Sequence, residues 1–450
     1  MKPLRIANAQ AFWGDDSNAA ARLAAQVPDL DFITLDYLAE VSMSILAKQR
    51  EQDSSLGYAR DFLDVTKSLT PFWQKGRKLR VVTNAGGLNP HAAAEACLNI
   101  LRESNCEKKT IAVVSGDNVL PLIRQTPEQF RNLETGKSID VVLPSLVTAN
   151  AYLGAGSISA ALRDGADLVI TGRVADPSLT VGPCIAHFGW RQNDFDRIAG
   201  ATIAGHLIEC GTQVTGGIST DWLNLPNCNI GFPIAEVSDD GTCTITKPPN
   251  TGGRVSEQTV KEQLLYEIGD PQNYLSPDAT VSFLSLEVQQ ADENCVQVSG
   301  AKGKAPTTTF KVSATFKAGY RATGTLTIFG RNAVAKARRC GEIIFQRLQD
   351  AGFSSAKVHT ECLGSGDVVP GVLKRKSADS IETVLRISVF DQHREAVERF
   401  TREFMPLITA GPQGTTGYAQ GRPIVQEVFG YWPTLIDRSL VSPQVELLSM

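Results

Sequence analysis

The stretch that decides the fold lies at residues 166–178 and reads Ala166-Asp167-Leu168-Val169-Ile170-Thr171-Gly172-Arg173-Val174-Ala175-Asp176-Pro177-Ser178. Its apolar beginning predicts a buried strand, and the residues after Pro177 can begin a helix. Sheets built from alternating strands and helices bind their ligands beyond the carboxyl ends of the strands. Arg173 could pair with a carboxylate or a phosphate through two parallel hydrogen bonds, and Asp176 could move a proton or hold a hydroxyl. The alternative is a surface ion pair across a turn.

Similar apolar runs alternate with helical patterns on both sides of this stretch. The predicted strands lie at residues 4–9, 32–35, 79–83, 110–115, 139–143 and 168–171. Between two of them, residues 91–103 place apolar side chains at helical spacing. The alternation predicts the α/β class, with a mostly parallel, Rossmann-like sheet.

The pattern changes after about residue 277. Half-buried strands are predicted at residues 280–288, 295–298, 310–316, 321–329, 357–363 and 383–390, with a turn at 317–320 and helices at 334–348 and 393–408. Antiparallel strands with helices on one face predict a smaller α+β domain. We therefore predict an α/β domain with ligand-binding strand ends at 1–275 and an α+β domain at 276–450. A length of 450 residues, more than one core usually fills, agrees with two domains.

Composition and charge exclude several classes of protein. The 44 basic and 48 acidic residues give a net charge of −4, which offers no electrostatic basis for binding nucleic acid or an anionic membrane. The longest uncharged run, residues 141–162, is broken by Pro144, Asn150 and Gly154, so it predicts a strand, a loop and a helix rather than a membrane span. Nine dispersed cysteines and the lack of a secretion signal predict reduced thiols in the cytoplasm. We expect a homo-oligomer with a small-molecule substrate.

One loop between a predicted strand and a helix has the composition of an anion site. It reads Asn84-Ala85-Gly86-Gly87-Leu88-Asn89. Its glycines let backbone N–H groups approach a phosphate or carboxylate at a helix N-terminus. The alternative is a tight turn that needs glycine for its backbone angles, and the loop lacks the P-loop pattern.

Other polar or glycine-rich loops could also bind an anion or a hydroxyl, although ordinary turn chemistry would explain several of them. They include a Gly-x-Gly step that is an incomplete dinucleotide fingerprint. The candidate binding residues in these loops are Asp15, Asp117, Asn118, Gly154, Gly156, Ser157, Gly252, Gly253 and Arg254.

Two clusters of side chains could transfer protons. His206, Glu209 and Cys210 would share one face of a helix and could form an acid–base or nucleophile cluster; the alternative is core packing. Asp36 and Glu40 lie four residues apart after the second strand, where acids also simply favour a helix N-terminus. The first cluster could also form part of a metal site, but two more ligands would have to come from elsewhere, and because no HExxH or CxxC spacing is present we assign no metal ligands.

The chain resembles the acyclic terpene utilisation AtuA family. The likeness lies in residues 8–15, 35–40, 82–90, 171–178, 204–211, 229–236 and 261–267, and it extends over nearly the whole chain. The resemblance implies a part in the breakdown of branched, terpene-type acids as CoA esters.

Together the motifs and the resemblance give a leading hypothesis for function. It is an enzyme of branched-acid or terpene-type catabolism, a hydratase, dehydratase or C–C lyase that acts on an acyl-CoA or a hydroxy-acid. Glu40, Asp176, His206 and Glu209 are the candidate catalytic residues, and Arg173 with the loop at 84–89 would bind negative charge. The sequence identifies no cofactor, and CoA would enter as part of the substrate. The alternatives are a nucleotide-dependent enzyme and a non-catalytic subunit of a catabolic complex.

Overall fold

A computed structural model describes residues 2–106, 108–226, 228–372, 380–417 and 421–449. The helices are α1 (Ala19–Gln26), α2 (Glu40–Gln52), α3 (Asp61–Gln74), α4 (Pro90–Glu103), α5 (Leu120–Gln125), α6 (Gly156–Arg163), α7 (Ser178–Phe188), α8 (Phe195–Glu209), α9 (Glu257–Leu265), α10 (Ala333–Asp350), α11 (Arg394–Thr401) and α12 (Leu407–Ala410). The strands are β1 (Leu4–Asn8), β2 (Phe32–Leu35), β3 (Arg80–Thr83), β4 (Ile111–Ser115), β5 (Leu146–Ala151), β6 (Leu168–Thr171), β7 (Ile234–Val237), β8 (Cys243–Thr246), β9 (Tyr274–Leu275), β10 (Thr280–Ser282), β11 (Glu287–Asp292), β12 (Cys295–Ser299), β13 (Lys302–Lys304), β14 (Thr309–Phe329), β15 (Lys357–Leu363), β16 (Glu382–Asp391), β17 (Thr415–Thr416), β18 (Gln426–Asp437) and β19 (Gln444–Leu448).

A ten-stranded sheet, in the order β11-β12-β8-β7-β1-β2-β3-β6-β4-β19, is built around a parallel centre. Its five central strands, β1, β2, β3, β6 and β4, all pair in parallel. These strands are rich in Val and Ile because helices cover both faces of such a sheet and leave no face to water. The prediction of an α/β protein with a largely parallel sheet at its core is confirmed.

The sheet continues with antiparallel strands that come from distant parts of the chain. β7, β8, β12 and β11 extend one side, and β19 closes the other side against β4. The chain therefore divides into a first unit, residues 1–315 with 431–450, and a second unit, residues 316–430. The predicted boundary near residue 276 falls inside the first unit, because β11, β12 and β19 complete its sheet.

The second unit contains an antiparallel sheet in which β16 pairs with β14 and β15. The helix α10 packs against β16, with Val334, Ala337, Ile344 and Leu348 among its buried residues. Apolar residues every three or four positions give α10 the apolar stripe that a sheet-covering helix needs. This unit thus combines antiparallel strands with a helix that packs against them.

Four predicted elements differ from the structure, and one of them, the strand predicted at 280–288, is divided between β10 and the start of β11. Residues 139–143 form 3-10 turns rather than a strand. The next strand in the chain is β5, which pairs with β14 instead of joining the parallel sheet. A short apolar run does not distinguish a strand from a helical turn, and Pro144 has no N–H to donate to a neighbouring strand. The turn predicted at 317–320 lies within the continuous strand β14. The helix predicted at 393–408 is split into α11 and α12 by a segment that includes Pro406, whose missing N–H disfavours a continuous helix.

Candidate functional site

The four candidate catalytic residues line a single cavity of about 420 Å³ within the first unit, and Arg173 lines it with them. Glu40 is the first residue of α2, and Asp176 follows β6 just before α7. His206 and Glu209 lie in the last turn of α8. The volume lies in the range of roughly 300–1,000 Å³ that is usual for small-molecule sites.

Arg173 is buried at the back of this cavity, with only 2% of its surface exposed. Its Nη1 donates to the backbone oxygen of Leu38 at 2.5 Å and lies 3.1 Å from Oδ1 of Asp176. The guanidinium stacks on the ring of Tyr152, 4.1 Å from its centroid. Among the described residues, Nε has no hydrogen-bond partner. Because a buried guanidinium N–H needs an acceptor, Arg173 is suited to an anionic or carbonyl oxygen in the cavity.

Asp176 lies beside this guanidinium, and its side chain is 32% exposed, which places it at the cavity surface. Burial raises its pKa well above the usual range. Arg173 opposes that shift, whereas the neighbouring carboxyls of Asp36, Glu209 and Glu40 add to it. A carboxyl in this setting can hold a proton near neutral pH and donate it.

Asp36 lies behind the cavity and is 6% exposed. Asn84 Nδ2 donates to its Oδ1 at 2.7 Å, and the backbone N–H of Leu38 donates to the same oxygen at 3.2 Å. Burial raises the pKa of Asp36 to about 6, although Arg173 and Asn84 act in the opposite direction. Asp36 therefore adds a second carboxyl that can be neutral close to Arg173.

His206 is held at both ring nitrogens. Its Nε2 is 2.9 Å from the backbone oxygen of Gln263, and its Nδ1 is 3.0 Å from Oε1 of Glu209. A carbonyl oxygen only accepts, so Nε2 must donate, and a proton is shared between Nδ1 and Glu209. Burial lowers the pKa of His206, but the hydrogen bond and charge of Glu209 outweigh burial and raise it. His206 thus positions Glu209, whose Oε2 is buried with no hydrogen-bond partner among the described residues.

Glu40 lies at the more exposed side of the cavity. Tyr152 donates its hydroxyl to Oε1 of Glu40 at 3.3 Å, and Lys311 Nζ lies 3.8 Å from the same oxygen. Partial burial acts to raise the pKa of Glu40, but its own backbone N–H, Arg173 and Lys311 hold it below its usual value. Glu40 is therefore ionised at neutral pH and suits a binding role better than that of an acid.

The family comparison identifies the chain. The model of the acyclic terpene utilisation family protein AtuA matches residues 4–447, which is nearly the whole chain. This chain belongs to the AtuA family. The resemblance expected from the sequence is confirmed, and membership implies a role in acyclic terpene utilisation. No curated protein and no solved structure matches the chain at a significant level.

Several residues at the cavity of this AtuA-family chain were not predicted from the sequence. The ring of Tyr274 is tilted against that of His206, with the ring centroids 6.1 Å apart, and Lys311 lies over the ring of Tyr152 at 4.9 Å. Glu267 lines the cavity and has a φ of 59°, a left-handed angle that is uncommon outside glycine. No local pattern marks them, because β9, β14 and the loop after α9 reach the cavity only through tertiary packing.

The polar side chains of the loop at residues 84–89 are used in hydrogen bonds to other parts of the protein. Asn84 Oδ1 accepts from the backbone N–H of Tyr37 at 2.7 Å, and Asn89 caps α4 by accepting from Ala92. A Cβ on Gly86 would lie 2.6 Å from both Pro90 Cβ and the backbone oxygen of Thr171. Gly87 has a φ of 52°. The glycines therefore serve a tight turn, and the loop residues do not line the cavity.

Asp117 and Asn118 support the chain around β4. Asp117 Oδ2 accepts from the backbone N–H of Arg173 at 2.9 Å and from Asn150 Nδ2 at 2.7 Å. Asn118 Oδ1 accepts from the backbone N–H of Leu120 at 3.1 Å, which forms an Asx turn. Asp117 thus fixes the backbone of Arg173 without reaching the cavity.

The remaining predicted binding residues lie elsewhere. Gly154, Gly156 and Ser157 line a second cavity. Asp15 accepts from backbone N–H groups of its own turn. Arg254 is exposed and pairs with Asp221 at 2.6 Å. Gly252 and Gly253 belong to a close backbone packing in which added Cβ atoms would lie 2.3 Å from carbonyl oxygens.

The described parts of the chain contain no group of three or more His, Cys, Asp or Glu residues that could hold a metal ion. Within the same parts, no helix is long and apolar enough to cross a membrane. Cys97, Cys184, Cys243 and Cys340 are buried thiols. Burial raises the pKa of Cys210, and this neutral thiol does not line the cavity with His206 and Glu209.

Proposed function

We propose that this protein is an acid–base enzyme that adds water to, or eliminates water from, a branched acyl substrate of acyclic terpene breakdown. The observation that supports this most directly is the pair of carboxyls in one cavity with opposite environments. Burial and neighbouring acids raise the pKa of Asp176, whereas Oε1 of Glu209 is bound to Nδ1 of His206. A carboxyl that retains its proton and a second carboxyl held in place by an imidazole can supply the acid and the base of such a reaction.

In this proposal Arg173 binds the carboxylate or the thioester carbonyl of the substrate. Its unsatisfied Nε faces an enclosed environment in which a charge-assisted hydrogen bond is strong. The raised pKa of Asp176 reduces the negative charge beside the guanidinium, which favours an anionic or carbonyl oxygen at Arg173.

The proton transfers balance with these groups. In elimination, Glu209 takes the proton from the carbon next to the carbonyl, the C–O bond breaks, and Asp176 gives its proton to the departing hydroxyl, which leaves as water. In hydration the same steps run in reverse. His206 holds Glu209 in place throughout, because Gln263 occupies its other ring nitrogen. A C–C lyase would use the same pair but would take the proton from a substrate hydroxyl.

A nucleotide-dependent reaction receives less support. The polar side chains of the loop at 84–89 bond to Tyr37, to Asp36 and to the start of α4. At the start of α6, where a phosphate could bind, the backbone N–H of Ala155 already donates to Oδ1 of Asp278 at 2.7 Å. This N–H group is therefore not free to bind a phosphate. A non-catalytic subunit remains the other alternative, and it predicts that changes at the cavity leave catalysis by its complex unchanged.

The test is an assay of purified protein with branched 3-hydroxyacyl and α,β-unsaturated acyl substrates, as free acids and as CoA thioesters. Formation or loss of the conjugated double bond would be followed by absorbance. Glu209→Gln should lower turnover by about 10²–10⁴, the usual effect of removing a general base. Glu103→Gln is the matched control, because Glu103 is also the last residue of its helix but is exposed.

A thermal-shift comparison with NAD, ATP and CoA would complete the test. Stabilisation by NAD or ATP with none by an acyl substrate or CoA would contradict the proposal. Turnover that is equal in the wild type and in Glu209→Gln would also contradict it.

A further inference from the structure

A second cavity of about 720 Å³ lies next to the first within the same unit. Pro277 and Phe310 line both cavities, so these two side chains form a common wall. The far side of the second cavity is bordered by the exposed residues Gly156 and Asn193. A space that begins at the surface and ends at the wall of the candidate catalytic cavity is placed to hold a further part of the same ligand.

The walls of the second cavity are mostly apolar. Ile185, Phe195 and Ile198 supply them from α7 and α8, and Phe310 supplies the shared wall. Burial of apolar chain against such walls stabilises a complex in proportion to the area removed from water. The ligand part that fits is therefore mainly hydrocarbon.

Arg438 is one of the polar residues that line this cavity, with Ser157, Gln192, Asn193 and Asp278. Its Nη2 donates to the backbone oxygen of Pro277 at 2.7 Å, and its guanidinium lies 4.3 Å from the ring centroid of Phe310. Its Nε is buried and, among the described residues, has no hydrogen-bond partner. Asp278 lies in the same wall, with Oδ2 accepting from the Ser178 hydroxyl at 2.5 Å. With this carboxyl group beside it, the unsatisfied N–H favours a neutral oxygen acceptor over a second anion.

Gly156 provides a way to close this cavity without disturbing the fold. It is the first residue of α6, and a Cβ added there would meet nothing within 4 Å. Its φ lies outside the left-handed region, so a side chain causes no backbone strain. Gly269 has the same two properties but lies outside both cavities, which makes it a matched control.

We propose that the second cavity binds the distal part of the substrate, a mainly apolar chain carrying a neutral oxygen acceptor for Arg438, while the reacting end lies in the first cavity. The chain would run along Pro277 and Phe310, the residues common to both cavities, and the lack of a side chain at Gly156 leaves room for its length. This assignment rests on the proposed function for the location of the reacting end. Binding measurements separate the two proposals.

The experiment is calorimetric titration of three probe acids, isovalerate, decanoate and ω-hydroxydecanoate, into the wild type, Gly156→Leu and Gly269→Leu. Gly156→Leu should weaken decanoate binding by at least about tenfold, the lower end of the usual effect of one methylene in an apolar pocket. Isovalerate should bind equally to all three proteins, and Gly269→Leu should bind all three acids as the wild type does. In Arg438→Met, ω-hydroxydecanoate should lose more affinity than decanoate does.

Equal decanoate affinity in Gly156→Leu and the wild type would overturn the inference. So would a loss of binding of unacylated coenzyme A in Gly156→Leu with decanoate unaffected, because the cavity would then hold the carrier. If Gly156→Leu weakens decanoate while isovalerate does not bind at all, the inference stands and the proposed role of Arg173 in the first cavity fails.

Discussion

The neighbouring strands β3 and β6 end at the same edge of the sheet, yet the two ends differ in how their polar groups are used. After β3, Asn84 and Asn89 bond to the surrounding chain, and Gly86 is packed too tightly for a side chain. After β6, Arg173 Nε remains without a partner among the described residues, and Asp176 faces a cavity. The topological position alone does not make a ligand site. The polar groups that the fold leaves unsatisfied there distinguish one strand end from the other.

The largest expected effect comes from changing one group at each strand end. Asp176→Asn should lower turnover by about 10²–10⁴, because the amide cannot donate the proton that a general acid gives. Asn89→Ala should leave turnover unchanged and cost about 1 kcal/mol of unfolding free energy, the usual value of a helix N-cap. Steady-state kinetics and urea unfolding of both variants measure the two effects. A fall in turnover in Asn89→Ala but not in Asp176→Asn would contradict the assignment of a structural role to the β3 end and a catalytic role to the β6 end.

Arg173→Lys tests whether the free guanidinium N–H at the β6 end binds substrate. An ammonium keeps the charge but cannot make the same planar set of hydrogen bonds, so kcat/KM should fall by about 10–100-fold, the range for one hydrogen bond to a charged group. Arg254→Lys is the control, because Arg254 is an exposed ion-pair partner. Wild-type kinetics in Arg173→Lys with an unchanged melting temperature would show that Arg173 only forms an ion pair and does not bind substrate.

Gly86→Ala tests the opposite role at the β3 end. The added methyl would lie 2.6 Å from the backbone oxygen of Thr171, so the turn must shift. We expect a loss of about 2–3 kcal/mol in unfolding free energy, as for an overpacked site, with unchanged turnover per folded molecule. Gly269→Ala, which adds its methyl to open space, should be close to neutral. A catalytic defect in Gly86→Ala without loss of stability would indicate that the loop at 84–89 binds substrate after all.

The smallest effect concerns Asp36, which contacts Asn84 and feels the charge of Arg173. Because the folded state raises its pKa from 3.8 to about 6, the folded state binds the proton more tightly than the unfolded state does. Stability is therefore lost as the pH rises through this interval. Asp36→Asn should stabilise the protein by about 1–3 kcal/mol at pH 8 and by little near pH 4. Melting temperatures across this range test the sign, and a variant that is less stable at pH 8 would contradict it.

The sequence alone predicted the parallel sheet because strand and helix periods alternate clearly around β3, β4 and β6. It also predicted the carboxyl end of β6 as a ligand-binding position, since Arg173 and Asp176 follow an uninterrupted apolar strand. It could not predict that Asn84 and Asp117 would be consumed by hydrogen bonds to distant backbone, because such bonds depend on tertiary packing. Lys311, which reaches the cavity from a strand, escaped prediction for the same reason.

The role of His206 shows a further limit of spacing. Helical periodicity places His206 beside Glu209, and the structure does join them. Only the fold reveals that Gln263, 57 positions later in the chain, occupies the second ring nitrogen. Gln263 Nε2 also donates back to the backbone oxygen of His206 at 3.1 Å. These two hydrogen bonds between His206 and Gln263 make His206 a positioning residue. The sequence of α8 alone does not predict this role.

The pairing of β19 with β4 has a consequence for how the protein is made. Five residue pairs join Gln444–Leu448 to Ile111–Ser115, and the whole second unit lies between these strands in the chain. During synthesis from the N-terminus, β4 must wait with its outer N–H and C=O groups unpaired until residues 316–430 have left the ribosome. An open apolar strand edge is a recognised route to wrong pairing between chains. Until β19 arrives to cover it, that edge of β4 is open to pairing with another chain.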